Sequence, residues 1–499
     1  MTPVYKTSYK VIMYQDIENA LNINKTFVLE GDKEYSYADL KKMAQCIHTV
    51  LRKHSFSRII ISGKQCFFSY ATMVGIYLAG GTFCVLNEDI PQSRKEFIIE
   101  KFKPDVYFGE KALDVKIDIP QYMYEDIYSL PKYDEETENI LKNEVLYVSF
   151  TSGTTGIPKG CVISRKSFEH FCEQAVKVLK FTEEDICAQY VPLSFDMSLI
   201  DIFGGVQKNV TLVAFKSNSY KLRPGKYLSK YKITFMNVVP HFIKILENGG
   251  QLNEKYLKSL RMIRFGGDKI SKDILCKLFS CNSGLEIVST YGATETTCFC
   301  MYKILTKDNY ESLCTTHAVV GGPLDGWKYY LEYEDSSDVG NLVIYGDYIG
   351  EGYLGENNDI DENMAEKFNS TYFIRHDAEG KKYRAYKTGD YFMIRDRELL
   401  FVGRNDSQIK INGKRFNLCE LENTLSGLGA SESCGIYKDG KILLYYTMNN
   451  GSDLCEENIL ELFKEKVPLF AIPSRIIRLE QMPHNLNGKI DKSVINRIG

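Results

Sequence analysis

The 499-residue chain has no apolar run of the ~18 residues that a membrane-spanning helix needs. Its first twenty residues, MTPVYKTSYKVIMYQDIENA, contain no apolar core of the kind a secretory leader carries. The expectation from both absences is a cytoplasmic protein that meets no membrane. A basic excess is also missing. The 62 Lys and Arg stand against 65 Asp and Glu, and a net charge of −3 offers no electrostatic footprint for nucleic acid. Fourteen cysteines occur without a single CxxC pair. The CxC of Cys298 and Cys300 has no further His or Cys beside it, so reduced, buried thiols are expected rather than a metal site. No repeat or low-complexity tract interrupts the chain. Its length exceeds what one small core can hold, which implies at least two domains.

What is present is alternation. SYADLKKMAQCIHTVLRKH sets Leu40, Met43, Ala44, Ile47 and Leu51 on one helical face, with Ser36 placed to cap it. RIIIS (58–62) reads as a buried strand, YATMVGIYLAGG as a helix ending on glycine, TFCVLN as a strand and SRKEFIIEKF as a helix. TLVAF, FMNVV and RMIRF are further short apolar strands, each followed by helix-like sequence. Strands separated by helices predict parallel sheets covered on both faces. After about Asp338 the pattern changes to closely spaced strands and tight turns. The tail then reads as a smaller α+β unit. In it SQIKINGKRF is a strand, CELENTLSGL a helix, CGIYKDGKILLYYTM a hairpin turning at Asp439-Gly440 and EENILELFKEKV a helix. GRNDS (403–407) is the expected boundary, and acidic YDEETEN (133–139) an expected solvated loop.

YVSFTSGTTGIPKGCVISRKSF interrupts two apolar runs with small, hydroxylated residues and one lysine. Successive backbone N–H groups in a glycine-rich loop form a concavity that binds phosphate oxygens. Gly153, Gly156 and Gly160 supply unusual dihedrals, Thr151, Ser152, Thr154 and Thr155 supply hydroxyls, and Lys159 a mobile cation. The Walker A pattern does not fit, because Pro158 precedes Lys159 and Gly160 follows it.

SFTSGTTGIPKG resembles the phosphate loop of the adenylate-forming enzymes: acyl-CoA synthetases, luciferases and amino-acid adenylation domains. YSYADL, GIYLAGGTFCVLNEDIPQSR, FDMS, TYGATETT, GNLVIYGDYIGEGYLG, YKTGD, GRNDSQIKINGKRFNLCELE and NLNGKIDK resemble the family's other motifs, in its order and across nearly the whole chain. The resemblance implies a large α/β N-terminal domain (1–403) of mostly parallel sheets packed with helices plus a distorted β-barrel region. It also implies a small mobile α+β C-terminal domain (404–499). The implied reaction converts a carboxylic acid and ATP to an acyl-adenylate and pyrophosphate, then passes the acyl group to a thiol.

By the same resemblance Thr151, Ser152, Gly153, Thr154, Thr155, Gly156 and Lys159 would hold phosphates, and Thr294 would contact the α-phosphate. Glu295 would help hold Mg²⁺. Tyr291 would stack on adenine, Asp390 would accept the ribose hydroxyls, and Gly267, Asp268, Gly292 and Arg404 would complete the nucleotide site. Asp406 would be the hinge, Lys489 the lysine bridging carboxylate and α-phosphate, and Gly413 would lie near the thiol's path. The chain departs from the family pattern at Asn417, where Glu is common, and at Cys419, where Gly is common.

Asp196 in FDMS matches the Asp that pairs with the substrate ammonium in the amino-acid branch, which acyl-CoA and aryl-acid ligases generally lack. A buried ammonium requires an anionic partner. Met197, Ile200, Asn237, Arg264, Gly266, Thr290, Cys298 and Phe299 are the remaining pocket positions implied. Strand alternation in RMIRF favours a surface-facing Arg264. The expected activity is amino-acid activation with ATP and Mg²⁺, followed by loading of a separate phosphopantetheinylated carrier protein. No carrier or condensation motif flanks the core, so a stand-alone enzyme is expected, similar to D-alanine–carrier-protein ligases. The alternative is an acyl- or aryl-CoA ligase.

Overall fold

The computed structural model describes residues 12–130, 143–151, 158–314, 317–333, 338–355, 371–377, 379–404, 408–428, 430–448, 456–483 and 490–498. Among these the chain forms two large sheets and three smaller ones. The nine-stranded sheet has a parallel interior running from Glu286–Tyr291 through Met262–Phe265, Phe235–Val238, Ile186–Gln189 and Thr211–Ala214 to Thr26–Glu30. Its flanking strands are antiparallel. The seven-stranded sheet is also parallel at its centre, through Thr82–Leu86, Arg58–Ser62 and Val106–Gly109, and stays parallel to its edge strand Gln121–Met123, with antiparallel strands on the other side only. RIIIS, TFCVL, TLVA, FMNV and MIRF are near-continuous apolar runs because both faces of a parallel sheet are covered.

The helix Tyr37–His54 illustrates how sequence sets an element. Ser36 Oγ accepts from the Asp39 N–H while the Asp39 carboxylate accepts from the Ser36 N–H, a reciprocal capping box. Leu40, Met43, Ile47 and Leu51 are fully buried, and each contributes about 1.5–3 kcal/mol relative to exposure. The helix Phe67–Ala79 ends where Gly80 turns left-handed at φ 78°.

Where a distorted β-barrel region was expected, the described residues form a five-stranded antiparallel sheet built on the long strand Lys382–Arg395, which pairs with Val339–Gly346, Tyr372–His376 and Glu398–Arg404. Beyond it, two apolar clusters are made only of residues from 409 onward. One expectation needs correction: SQIKINGKRF is a hairpin rather than one strand. Gln408–Ile411 pairs with Lys414–Asn417 across Asn412 and Gly413, both left-handed, the geometry an Asn-Gly turn favours. YDEETEN and residues 405–407 of GRNDS lie outside the described residues. No helix among the described residues is long and apolar enough to cross a membrane.

Candidate active site

The glycine-rich stretch joins two antiparallel strands, Val145–Thr151 and Lys159–Ser164, with Thr151 paired directly to Lys159. Ser152, Gly153, Thr154, Thr155 and Gly156 lie outside the described residues. Lys159 is buried, its ammonium 5.2 Å from the Tyr353 ring centroid. Tyr353 Oη in turn donates to Glu295 Oε1 at 2.8 Å. Burial pushes Lys159 down to about 8, against the pull of the Glu295 carboxylate. Tyr353 was not singled out from sequence, although it lies within GNLVIYGDYIGEGYLG. Its strand, Gly352–Tyr353, pairs with Lys159–Ser164 and so carries the hydroxyl to Glu295.

A second network joins three of the expected nucleotide residues. Tyr291 Oη donates to Asp390 Oδ2 at 2.6 Å, and Arg404 Nη1 donates to Asp390 Oδ1 at 2.6 Å. Arg404 Nη2 also reaches the Thr388 carbonyl at 3.1 Å. Asp390 is 1% exposed. The Tyr291 ring stands edge-on to Phe392, 5.1 Å between centroids. Asp268 is exposed, its Oδ1 accepting from the Lys269 N–H, and it does not line the central cavity. Asp406 and Lys489 lie outside the described residues.

The central cavity has a volume of about 210 Å³, and Gly292, Ala293 and Thr294, between Tyr291 and Glu295 in the chain, reach it. It opens at the carboxyl ends of the parallel strands, where α/β sheets hold ligands. Asp196, Met197, Arg264 and Thr290 form part of its wall, with Thr294 and Cys298. Thr151, Gly267, Gly292 and Gly413 also reach it. Ile200, Asn237, Gly266 and Phe299 stand behind this wall rather than in it. Asn237 is a brace: its Nδ2 donates to the Met197 carbonyl and its Oδ1 accepts from Arg264 Nη1 at 2.8 Å. Gly266 leaves room for the guanidinium, since a Cβ there would sit 2.9 Å from Arg264 Nη2. Gly292 lets the following loop fold back, because its Cβ would meet the Cys298 carbonyl at 2.4 Å. That loop holds Thr297 and Cys298 at φ 62° and 68°, a conformation non-glycine residues seldom adopt.

The surface-facing orientation expected for Arg264 is wrong. Arg264 is 3% exposed and stacks 4.5 Å from the Phe299 ring centroid, while Arg261 is the residue that reaches outward to Asp185. Alternation separated the two arginines correctly but could not say which face was the pocket. Asp196 follows the strand Ile186–Gln189 and opens a 3₁₀ turn that runs into the π-helical turn Ile200–Gly204. Its Oδ2 is buried with no hydrogen-bond partner among the described residues. Burial raises its pKa, the Thr294 hydroxyl opposes this, Glu295 adds to it and Arg264 opposes it.

The hairpin at Asn412 and Gly413 closes one side of the cavity. A Cβ on Gly413 would meet Val239 Cγ1 at 2.2 Å, and one on Gly267 would meet the Gly413 carbonyl at 3.3 Å. Arg94 Nη1, from the helix Gln92–Phe102, reaches Glu420 Oε2 at 3.1 Å and ties this region to the rest.

The sequence pattern of AMP-binding enzymes matches residues 18–354. The chain belongs to the AMP-binding enzyme family. It is 27% identical to bacitracin synthase 2 of Bacillus licheniformis over 93% of its own length, yet spans only 18% of that protein. It is 26% identical to the D-alanine–D-alanyl carrier protein ligase of Listeria welshimeri, covering 93% of this chain and 94% of that one. The adenylation domain AlmE of Vibrio cholerae, solved with glycyl-adenosine-5′-phosphate, shares the fold with a TM-score of 0.82 at 19% identity, covering 100% and 99% of the two chains.

In this AMP-binding enzyme, no group of three or more His, Cys, Asp or Glu side chains among the described residues forms a metal cage. Magnesium accompanying a polyphosphate needs only one or two protein carboxylates, with phosphate and water filling the rest. Glu295 suits that role, being a buried carboxylate with one oxygen held by Tyr353 and Lys159 nearby.

Proposed function

We propose that this chain activates an amino acid with ATP and loads it onto the phosphopantetheine thiol of a carrier protein. The amino acid's carboxylate oxygen attacks the α-phosphorus and the bond to pyrophosphate breaks. The thiol sulfur then attacks the acyl carbon, and AMP leaves. Two anions meet in the first step, so cancelling charge and fixing geometry supply the catalysis.

Each side chain has a task in this reading. Lys159 and the 152–156 loop neutralise the β- and γ-phosphates, and Thr294 donates to the α-phosphate. Glu295 would hold Mg²⁺, and the bound ion would offset phosphate charge. Asp390, oriented by Tyr291 and Arg404, accepts the ribose hydroxyls. Residues 404–499 act as a mobile domain turning at Asp406. That rotation carries Lys489 to the carboxylate for adenylation and Gly413 to the thiol path for transfer.

The observation that carries the amino-acid assignment is Asp196: a carboxylate in the cavity wall whose Oδ2 is buried and has no partner among the described residues. An α-ammonium supplies the missing charge. The likeness to a D-alanyl carrier protein ligase along nearly its full length supports the carrier thiol as acceptor. Pyrophosphate exchange with the proteinogenic L-amino acids, D-alanine, aryl acids and fatty acids tests the reading. Exchange with amino acids alone is expected. Exchange with aryl or fatty acids alone would replace this reading with acyl- or aryl-CoA ligation.

A further inference from the structure

Arg264 presents a problem that amino-acid activation alone does not solve. Its guanidinium is nearly inaccessible at 3% exposure, yet it forms part of the cavity wall. Among the described residues it makes one hydrogen bond, to the neutral Asn237 side chain, and one ring contact, to Phe299. Its Nε is buried with no partner, and no carboxylate oxygen among the described residues lies within 4.0 Å of its nitrogens. A desolvated cation without an anion close by is costly, and guanidinium is the side chain whose fork matches a carboxylate bidentately.

The acids around it do not fill that role. Asp196 sits in the same wall and is committed to the ammonium in the proposed function. Asp201, on the π-helical turn, is fully buried with both oxygens lacking hydrogen-bond partners among the described residues. Burial raises its pKa well above the ordinary carboxyl value, with Arg264 and Asn237 opposing this, and neither of its oxygens bonds the guanidinium. Gly266 and Asn237 fix the guanidinium in place: the one makes room for Nη2 and the other binds Nη1.

We propose that the amino acid taken by this pocket ends in a side-chain carboxylate, received by Arg264 opposite the Asp196–ammonium pair. This rests on the reading of Asp196 given above. The substrate would then arrive with two anions and one cation. Its α-carboxylate would face the phosphate, and the other two charges would each meet a buried counter-charge.

The test is calorimetric binding of non-hydrolysable aminoacyl-sulfamoyl adenosines to the full chain. The probes are the aspartyl, glutamyl, asparaginyl, glutaminyl, alanyl and leucyl compounds, with benzoyl and octanoyl compounds beside them. The aspartyl or glutamyl compound should bind at least about tenfold more tightly than its amide. Arg264→Met should cost that compound roughly a hundredfold and leave the alanyl compound within about threefold. Arg264→Lys should fall between. Tightest wild-type binding of an amide, alanyl or leucyl compound overturns the proposal and leaves amino-acid activation standing. Equal weakening of every aminoacyl compound by Arg264→Met also overturns it, since Arg264 would then be a structural brace. Binding of the benzoyl or octanoyl compound alone overturns the amino-acid reading itself, and this proposal with it.

Discussion

Arg404 and Asp390 face each other across paired strands, with Arg404 Nη1 donating to Asp390 Oδ1 at 2.6 Å. Their side chains are 10% and 1% exposed, so neither charge can turn to water. Removing one partner of such a pair costs about 3–5 kcal/mol, most of it from the charge left behind. Arg404→Ala should therefore lower the melting temperature and raise the KM for ATP together. Arg404→Lys keeps a cation but loses the fork that also reaches the Thr388 carbonyl, and should recover only part of each. A melt unchanged in Arg404→Ala would show that Asp390 does not depend on this pair.

Lys159 gives a pH signature. Burial brings its pKa down to about 8, so in the free enzyme the ammonium is lost as pH rises through that value. kcat/KM reports the free enzyme's essential groups, and kcat/KM for ATP should fall above about pH 8. The sign for stability is opposite. Above that pH the unfolded chain still holds a proton that the folded chain has released, so the Lys159 contribution to stability improves with rising pH. Lys159→Arg, with a cation that does not titrate, should move the alkaline limb of the ATP profile upward. A profile that stays in place would assign the limb to another group.

The parallel strands and the capped helix were readable in the sequence for a physical reason. Parallel strands buried on both faces leave unbroken apolar runs such as RIIIS and FMNV, and a capped helix announces itself at Ser36 and Asp39. Arg264 was misjudged because a strand inside a parallel sheet buries both faces, so alternation does not separate pocket from solvent. Tyr353 and the Asn237 brace were harder still. Each acts through a partner distant in sequence, Tyr353 on Glu295 and Asn237 on Met197 and Arg264, and no local pattern encodes such pairings. The hairpin at Gly413 was hidden by reading an Asn-Gly dipeptide through as strand.

Asp196→Ala tests the branch assignment. If Asp196 neutralises an α-ammonium, the variant leaves that cation desolvated and unpaired, which costs about 3–5 kcal/mol. The loss in kcat/KM for the amino acid should be roughly a hundredfold to several thousandfold. The KM for ATP should change little. The same acid without its amino group should suffer far less, and that crossover separates a lost counter-ion from misfolding. Equal weakening of both acids would remove Asp196 as the reader of an ammonium.

Gly413→Ala should separate the two half-reactions. Gly413 has φ 78°, and its Cβ would fall 2.2 Å from Val239 Cγ1 and 2.7 Å from Val239 Cβ. An alanine there is strained by its backbone and blocked by a β-branched neighbour, so the hairpin cannot sit against the cavity as it does here. If this arrangement serves thiol transfer, the variant should form adenylate at a near-normal rate and load a carrier protein poorly. Lys489→Ala should do the reverse, losing adenylate formation while largely keeping transfer from supplied adenylate, because its charge matters only while carboxylate attacks phosphorus. Pyrophosphate exchange measures the first step and carrier acylation from synthetic adenylate the second. Shortening the obstacle in Gly413→Ala/Val239→Ala removes the clash but not the φ strain, so loading should recover in part. If Gly413→Ala lowers exchange as much as loading, the hairpin supports both steps alike and the division of labour between the two orientations is wrong.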